Sequence, residues 1–108
     1  MPREETIEKY LRSKVAERDG VCVKLSPFGL RGIPDRLILL PGPLVIFAEL
    51  KRPSGGRVSR HQYRWRDWLT SRGFRHVFLF TRNDVDLLME ALPDQRELGR
   101  KGDKRDVT

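Results

Sequence analysis

Apolar residues recur every three or four positions in some stretches of the chain and every second position in others. Between residues 4 and 18, Ile7, Leu11 and Val15, joined by Tyr10, fall on one side of a helix, and "RDG" ends the pattern with Gly20 as its stop. "VCVKL" at 21–25 reads as a short strand, "SPFGLRGIP" as a loop, and Asp35 to Leu40 as a second strand. The turn "PGP" at 41–43 folds the next run, Val45 to Lys51, back as an antiparallel neighbour. A second helix is expected from Ser59 to about Arg72, closed by Gly73. Its stripe of Val58, Gln62, Trp65 and Leu69 faces inward, and Trp68 is expected to pack on the sheet with Trp65 and Leu69. "HVFLF" at 76–80 is a further strand, and "NDVDLLMEAL" a third helix capped by Asn83 and stopped by Pro93. The order helix, three strands, helix, strand, helix predicts an α/β fold, a single-layer mixed β-sheet flanked by helices. There is no internal repeat.

Composition narrows the class. With 108 residues and 38% hydrophobic content the chain can build one modest core, so a single domain is expected over residues 1–92. The mixed-charge remainder, 93–108, is expected to be a flexible tail. No window approaches the roughly 20 apolar residues of a membrane span, and "MPREETIEKY" lacks the apolar region of a signal peptide, so a cytoplasmic protein with no membrane partner is expected. Cys22, the one cysteine, excludes an internal disulfide and a cysteine zinc cluster, and fits a small core residue. The net charge of +7 is concentrated: residues 51–75 hold eight lysines and arginines against one acid, while the segments on either side are nearly balanced. A basic cluster with interleaved aromatics suits a polyphosphate partner, because neutralising phosphates releases their counterions. A solvated arginine-rich helix face explains the charge equally well. The tryptophans are expected in the core rather than as platforms for bases.

Two acids break the apolar runs. Asp35 opens one strand and Glu49 lies near the end of the next, although a carboxylate beside apolar residues is costly to bury. The period of two puts Val45, Phe47, Glu49 and Lys51 on one face, with Ile46, Ala48 and Leu50 on the other. Antiparallel pairing through the short turn brings Asp35 beside Glu49, although they stand 14 positions apart. Two carboxylates and a lysine at one end of a sheet can hold a hard divalent cation such as Mg²⁺. The cation can activate water and neutralise a phosphate, while the lysine orients the nucleophile or stabilises the anion. Otherwise Glu49 and Lys51 are an exposed pair at a strand end, and Asp35 merely follows a proline.

These residues carry a family resemblance. "GIPDRLIL", followed after a short turn by "FAELKRPSGGRVSRHQ", resembles the VRR-NUC (virus-type replication-repair nuclease) domain, a branch of the PD-(D/E)XK nucleases, in its compact stand-alone phage and bacterial form. The resemblance covers nearly the whole chain apart from the tail and implies a restriction-endonuclease-like core that cleaves DNA phosphodiesters with Mg²⁺ or Mn²⁺. It implies that Asp35 and Glu49 are metal ligands, that the Leu50 backbone carbonyl adds a third oxygen, and that Lys51 is the catalytic lysine. The family also draws a Glu from the first helix. Glu4 and Glu8 share one helical face, and Glu4 fits the family spacing best, although acids in a first turn also favour the helix dipole. Gln62 would join the site, but "SRHQ" equally fits a capping box with Ser59. Arg31, Arg57, Arg60 and Arg64 would bind DNA, and His61 is expected to be exposed or peripheral. Some members resolve four-way (Holliday) junctions as homodimers, which implies branched DNA and a second copy as partners and a role in DNA repair. The apolar content of "HVFLF" and "VDLLMEAL" is a weak second hint, since a strand covered on both sides reads the same. The expected function is a metal-dependent DNA endonuclease. The alternatives are a non-catalytic DNA-binding module and a restriction-type enzyme, for which no recognition segment is present.

Overall fold

The computed structural model describes residues 4–25 and 30–96, without the side chains of Glu4 and Glu5. Its elements are α1 (Glu4–Ala16), β1 (Val21–Lys24), β2 (Arg36–Leu40), β3 (Leu44–Leu50), α2 (Arg60–Ser71), β4 (Arg75–Leu79) and α3 (Arg82–Ala91). The strands form one mixed sheet in the order β1-β2-β3-β4, antiparallel except for the parallel β3–β4 pair that α2 connects. The α/β architecture expected from the hydrophobic pattern is therefore present.

The core lies on one face of the sheet. Ile7, Leu11 and Val15 of α1 are fully buried there with Ile38, Leu40, Ile46, Ala48 and Leu50 from the strands and Val85 and Met89 from α3. Burying each of the larger aliphatic side chains contributes about 1.5–3 kcal/mol, which outweighs the modest helix propensity of α1 in deciding where that helix sits. α2 packs on the opposite face over β4, where the Tyr63 and Phe78 rings meet edge to face at 5.8 Å. β4 is thus an edge strand covered on both faces, which accounts for its apolar sequence without a second copy.

Three local expectations change. Asn83 does not cap α3; Thr81 does, since its hydroxyl accepts from the Asp84 N–H at 3.1 Å while Asp84 accepts from the Thr81 N–H at 3.1 Å. The α1 stop is shared: Asp19 takes the left-handed conformation at φ 58°, and Gly20 is needed for space. A Cβ at Gly20 would stand 2.5 Å from Leu40 Cδ2 and 2.6 Å from the Leu39 carbonyl. Trp68 does not pack on the sheet. Leu69 is the buried residue of α2, and Trp68, about 100° further round the helix, is 46% exposed.

Cys22 is buried in the core as expected, and burial pushes its thiol pKa up. Of the segment expected to form a tail, residues 93–96 are described and Arg96 donates to the Glu17 carbonyl at 2.8 Å; residues 97–108 lie outside the described residues. Among the described residues, no helix is long and apolar enough to cross a membrane.

Candidate active site

The β2–β3 hairpin builds the site. Its register pairs Arg36 with Ala48, so one residue further Asp35 stands opposite Glu49, on the sheet face that α2 partly covers. The Asp35 carbonyl accepts from the Leu25 N–H at 2.9 Å, and its carboxylate accepts from the Leu50 N–H at 3.3 Å. β1 and β3 therefore fix this residue from both sides. Leu50 turns its N–H toward Asp35, and in an extended strand its carbonyl lies along the same edge. Glu49 is 7% exposed, a position where a carboxylate keeps its charge only with compensating partners. Lys51 follows on the same side by the period of two, its N–H donating to the Leu79 carbonyl of β4 at 2.8 Å. The hairpin thus brings Asp35, Glu49 and the Leu50 backbone together, with Lys51 beside them.

The donor set is all oxygen, and a small hard cation that keeps several waters needs only one or two carboxylates from the protein. Asp35, Glu49 and the Leu50 carbonyl fit such an ion. Among the described residues, no group of three or more histidine, cysteine, aspartate or glutamate side chains could hold a metal. The expected helix acid Glu4 opens α1, but its side chain lies outside the described residues.

Glu8, the alternative helix acid, is occupied. It pairs with Arg36 and, at 3.2 Å, with Arg12, and the hydrogen bond from Arg36 is the main reason its pKa lies below the usual carboxylate value. Arg36 is the residue that sequence reasoning missed. It is 5% exposed, donates to the Asp35 carbonyl at 3.0 Å, and stands 3.6 Å from the Asp35 carboxylate while holding Glu8. A signal was available: by alternation Arg36 shares the core face with Ile38 and Leu40, where an unpaired cation would be prohibitive.

Gln62 takes the capping role. Its side-chain oxygen accepts from the Ser59 N–H at 2.9 Å and its own N–H donates to the Ser59 hydroxyl at 3.2 Å, which leaves the amide NH₂ as its remaining donor. The loop before β2 lies against the start of α2. Gly32, at φ 80°, has room for no Cβ, which would fall 2.5 Å from His61 Cβ, and Trp65 donates to the Arg31 carbonyl at 3.0 Å. His61 is half-buried by this contact. Arg31, Arg57, Arg60 and Arg64 are all exposed around this junction.

His76 on β4 shares the Glu49 face, with both ring nitrogens buried and without a hydrogen-bond partner. Burial first, and the nearby Arg66 charge second, lower its pKa. It is a neutral packing residue against Phe78, whose ring centroid is 4.7 Å away.

No protein-family model matches the chain. The chain is 36% identical over 90 residues to "Putative nuclease p44" of Acyrthosiphon pisum secondary endosymbiont phage 1, an alignment covering 83% of this chain and 95% of that protein. The fold superposes on a solved VRR_NUC domain with a TM-score of 0.78 and 28% identity, over 86% of this chain and all of the other.

Proposed function

Because this chain belongs to the VRR-NUC nuclease family, we propose that it is a metal-dependent endonuclease that hydrolyses DNA phosphodiester bonds, with branched or four-way DNA as its preferred substrate. The observation that carries this reading is the pairing of Asp35 with Glu49 across the β2–β3 register, beside Lys51. A bound Mg²⁺ or Mn²⁺ would activate a water and neutralise charge developing on the phosphate. Asp35, Glu49 and the Leu50 carbonyl would hold it, with Glu4 as the helix acid, because Glu8 is committed to Arg36 and Arg12. Lys51, on the Glu49 side, would orient the nucleophile and stabilise the phosphate anion. Gln62 can contribute its amide NH₂ while its oxygen caps α2. The exposed arginines 31, 57, 60 and 64 would neutralise DNA phosphates on either side of the scissile bond.

A homodimer belongs to the same reading, since paired cuts on a branched junction need two sites. Its support is the sheet face that α2 leaves bare, where Val23, Leu39 and Val45 are 36–39% exposed and Phe74 lies edge to face on Phe47 at 5.8 Å.

Cleavage of single-stranded, flapped, duplex and four-way DNA, with Mg²⁺, Mn²⁺ or a chelator, tests the proposal. Chelation, Asp35→Ala and Glu49→Ala should each reduce turnover at least a thousandfold with the fold retained. Lys51→Ala should lose turnover while keeping metal affinity by calorimetry. Full metal-dependent activity in either carboxylate variant would overturn the site. DNA binding without cleavage under every condition would favour the non-catalytic binding module.

A further inference from the structure

The two tryptophans of the chain both lie on α2, and neither belongs to the buried core. Their rings meet edge to face at 5.7 Å. Trp65 is held by its bond to the Arg31 carbonyl, whereas Trp68, one turn further along, is 46% exposed. The Arg72 guanidinium lies 4.1 Å from the centre of the Trp68 ring, so this indole face already accommodates a planar group. The surroundings are basic. Asp67, the single acid between residues 51 and 75, is engaged by Arg66 at 2.9 Å; Arg64, one helical turn before Trp68, and Arg72 are both exposed. The stripe starts at the loop that leads through Gly32 and Pro34 into Asp35.

We propose that the Trp65–Trp68 edge of α2 is a stacking platform for unpaired nucleotides, with a base on Trp68 and the flanking phosphates on Arg64 and Arg72. A half-exposed indole flanked by arginines matches the chemistry of a single strand, in which each base offers a free ring face and each linkage a negative charge. Paired bases in a duplex are already stacked on their neighbours and cannot occupy the ring. When a base arrives, Arg72 exchanges the indole, and its bonds to the Trp68 carbonyl at 3.1 Å and the Ser71 hydroxyl at 3.2 Å, for a charge-assisted contact with a phosphate. This deepens the nuclease reading and rests on it: the platform would select DNA with a single-stranded segment next to the scissile bond.

Binding and cleavage are measured separately. In chelator, oligothymidylate should quench the intrinsic tryptophan fluorescence of the full chain saturably, and Trp68→Phe should remove most of that signal. Trp68→Ala should weaken oligothymidylate binding on the order of 5- to 150-fold, the range that loss of one stacked base produces, and should weaken duplex binding less. Trp68→Tyr, which keeps a ring, should recover most of the affinity. Circular dichroism of each variant establishes that α2 is intact. Unchanged oligothymidylate affinity in Trp68→Ala would overturn the platform, as would a change of sedimenting mass with no change in DNA affinity, which would make the edge a subunit contact. Wild-type protein that is quenched by oligothymidylate yet cleaves no DNA with Mg²⁺ or Mn²⁺ would sink the nuclease reading and leave the platform supported.

Discussion

Arg36 is a cation at a core position of a strand, held between the backbone and carboxylate of Asp35 and the carboxylate of Glu8. Breaking a buried pair from one side costs about 3–5 kcal/mol, because the remaining charge is stranded. Glu8 is 26% exposed and retains contact with water and Arg12, so Arg36→Met should cost less, about 2–3 kcal/mol, in denaturant unfolding. Glu8→Gln should cost less again, and equal losses for the two would show that the guanidinium is not the shared element. His76 makes a second prediction. Its proton is bound less readily in the folded protein than in the unfolded chain, so the residue has no effect on stability well above an unfolded pKa of about 6.5. As pH falls below that value the unfolded chain takes up the proton first, and stability declines until the folded histidine is protonated too. Melting temperature measured from pH 7.5 to 5 should therefore fall less steeply in His76→Phe than in the wild type; parallel profiles would disprove the assignment.

Two capping boxes set the starts of α2, on the face of the site, and of α3, on the opposite face of the sheet. Ser59 with Gln62 opens α2, and Thr81 with Asp84 opens α3; each satisfies donors that a helix leaves over at its first turn. Ser59→Ala and Thr81→Ala should each lose about 1 kcal/mol, a fall in melting temperature of about 4–8 °C for a domain of this size. The two should differ in function. Ser59→Ala leaves the Gln62 backbone N–H without its acceptor at the junction with the Arg31 loop and should reduce cleavage, whereas Thr81→Ala acts on the other side of the sheet and should not. Equal effects on cleavage would mean that the Ser59 box serves stability alone.

At the scale of the whole molecule the sheet is unequally covered. α1 and α3 close one face, while α2 reaches β4 and leaves the β1–β3 part of the other face with Val23, Leu39 and Val45 half-exposed. Association that buries these side chains gains roughly 25 cal/mol per Å² of apolar area, against the lost freedom of two bodies. Leu39→Glu would place a charge in that contact and should weaken a homodimer at least tenfold in sedimentation equilibrium, while leaving the monomer folded. A wild-type protein that is monomeric at micromolar concentration would rule the dimer out.

The elements and the juxtaposition of Asp35 with Glu49 were legible in the sequence, because both depend on local periods. Ile7, Leu11 and Val15 at helical spacing, and the alternation from Val45 to Leu50, separate buried from solvent-facing positions before any packing is known. The three-residue turn at 41–43 fixes the hairpin register and with it the opposition of Asp35 and Glu49. Tertiary structure alone decided what depends on which surface an element meets. Trp68 and Leu69 are neighbouring large apolar residues in sequence, yet α2 rests on the narrow β4 edge and buries Leu69 while Trp68 stays exposed. Glu8 and Arg36, 28 positions apart, meet only in the folded chain, where the guanidinium of Arg36 engages the Glu8 carboxylate. Thr81 displaced Asn83 as a cap because the chain leaves β4 at Phe80, where the Asp84 carboxylate accepts from two successive backbone N–H groups. Periodicity records which side of an element is apolar; only the packed molecule has enough partners to cover some of those sides and leave others to solvent.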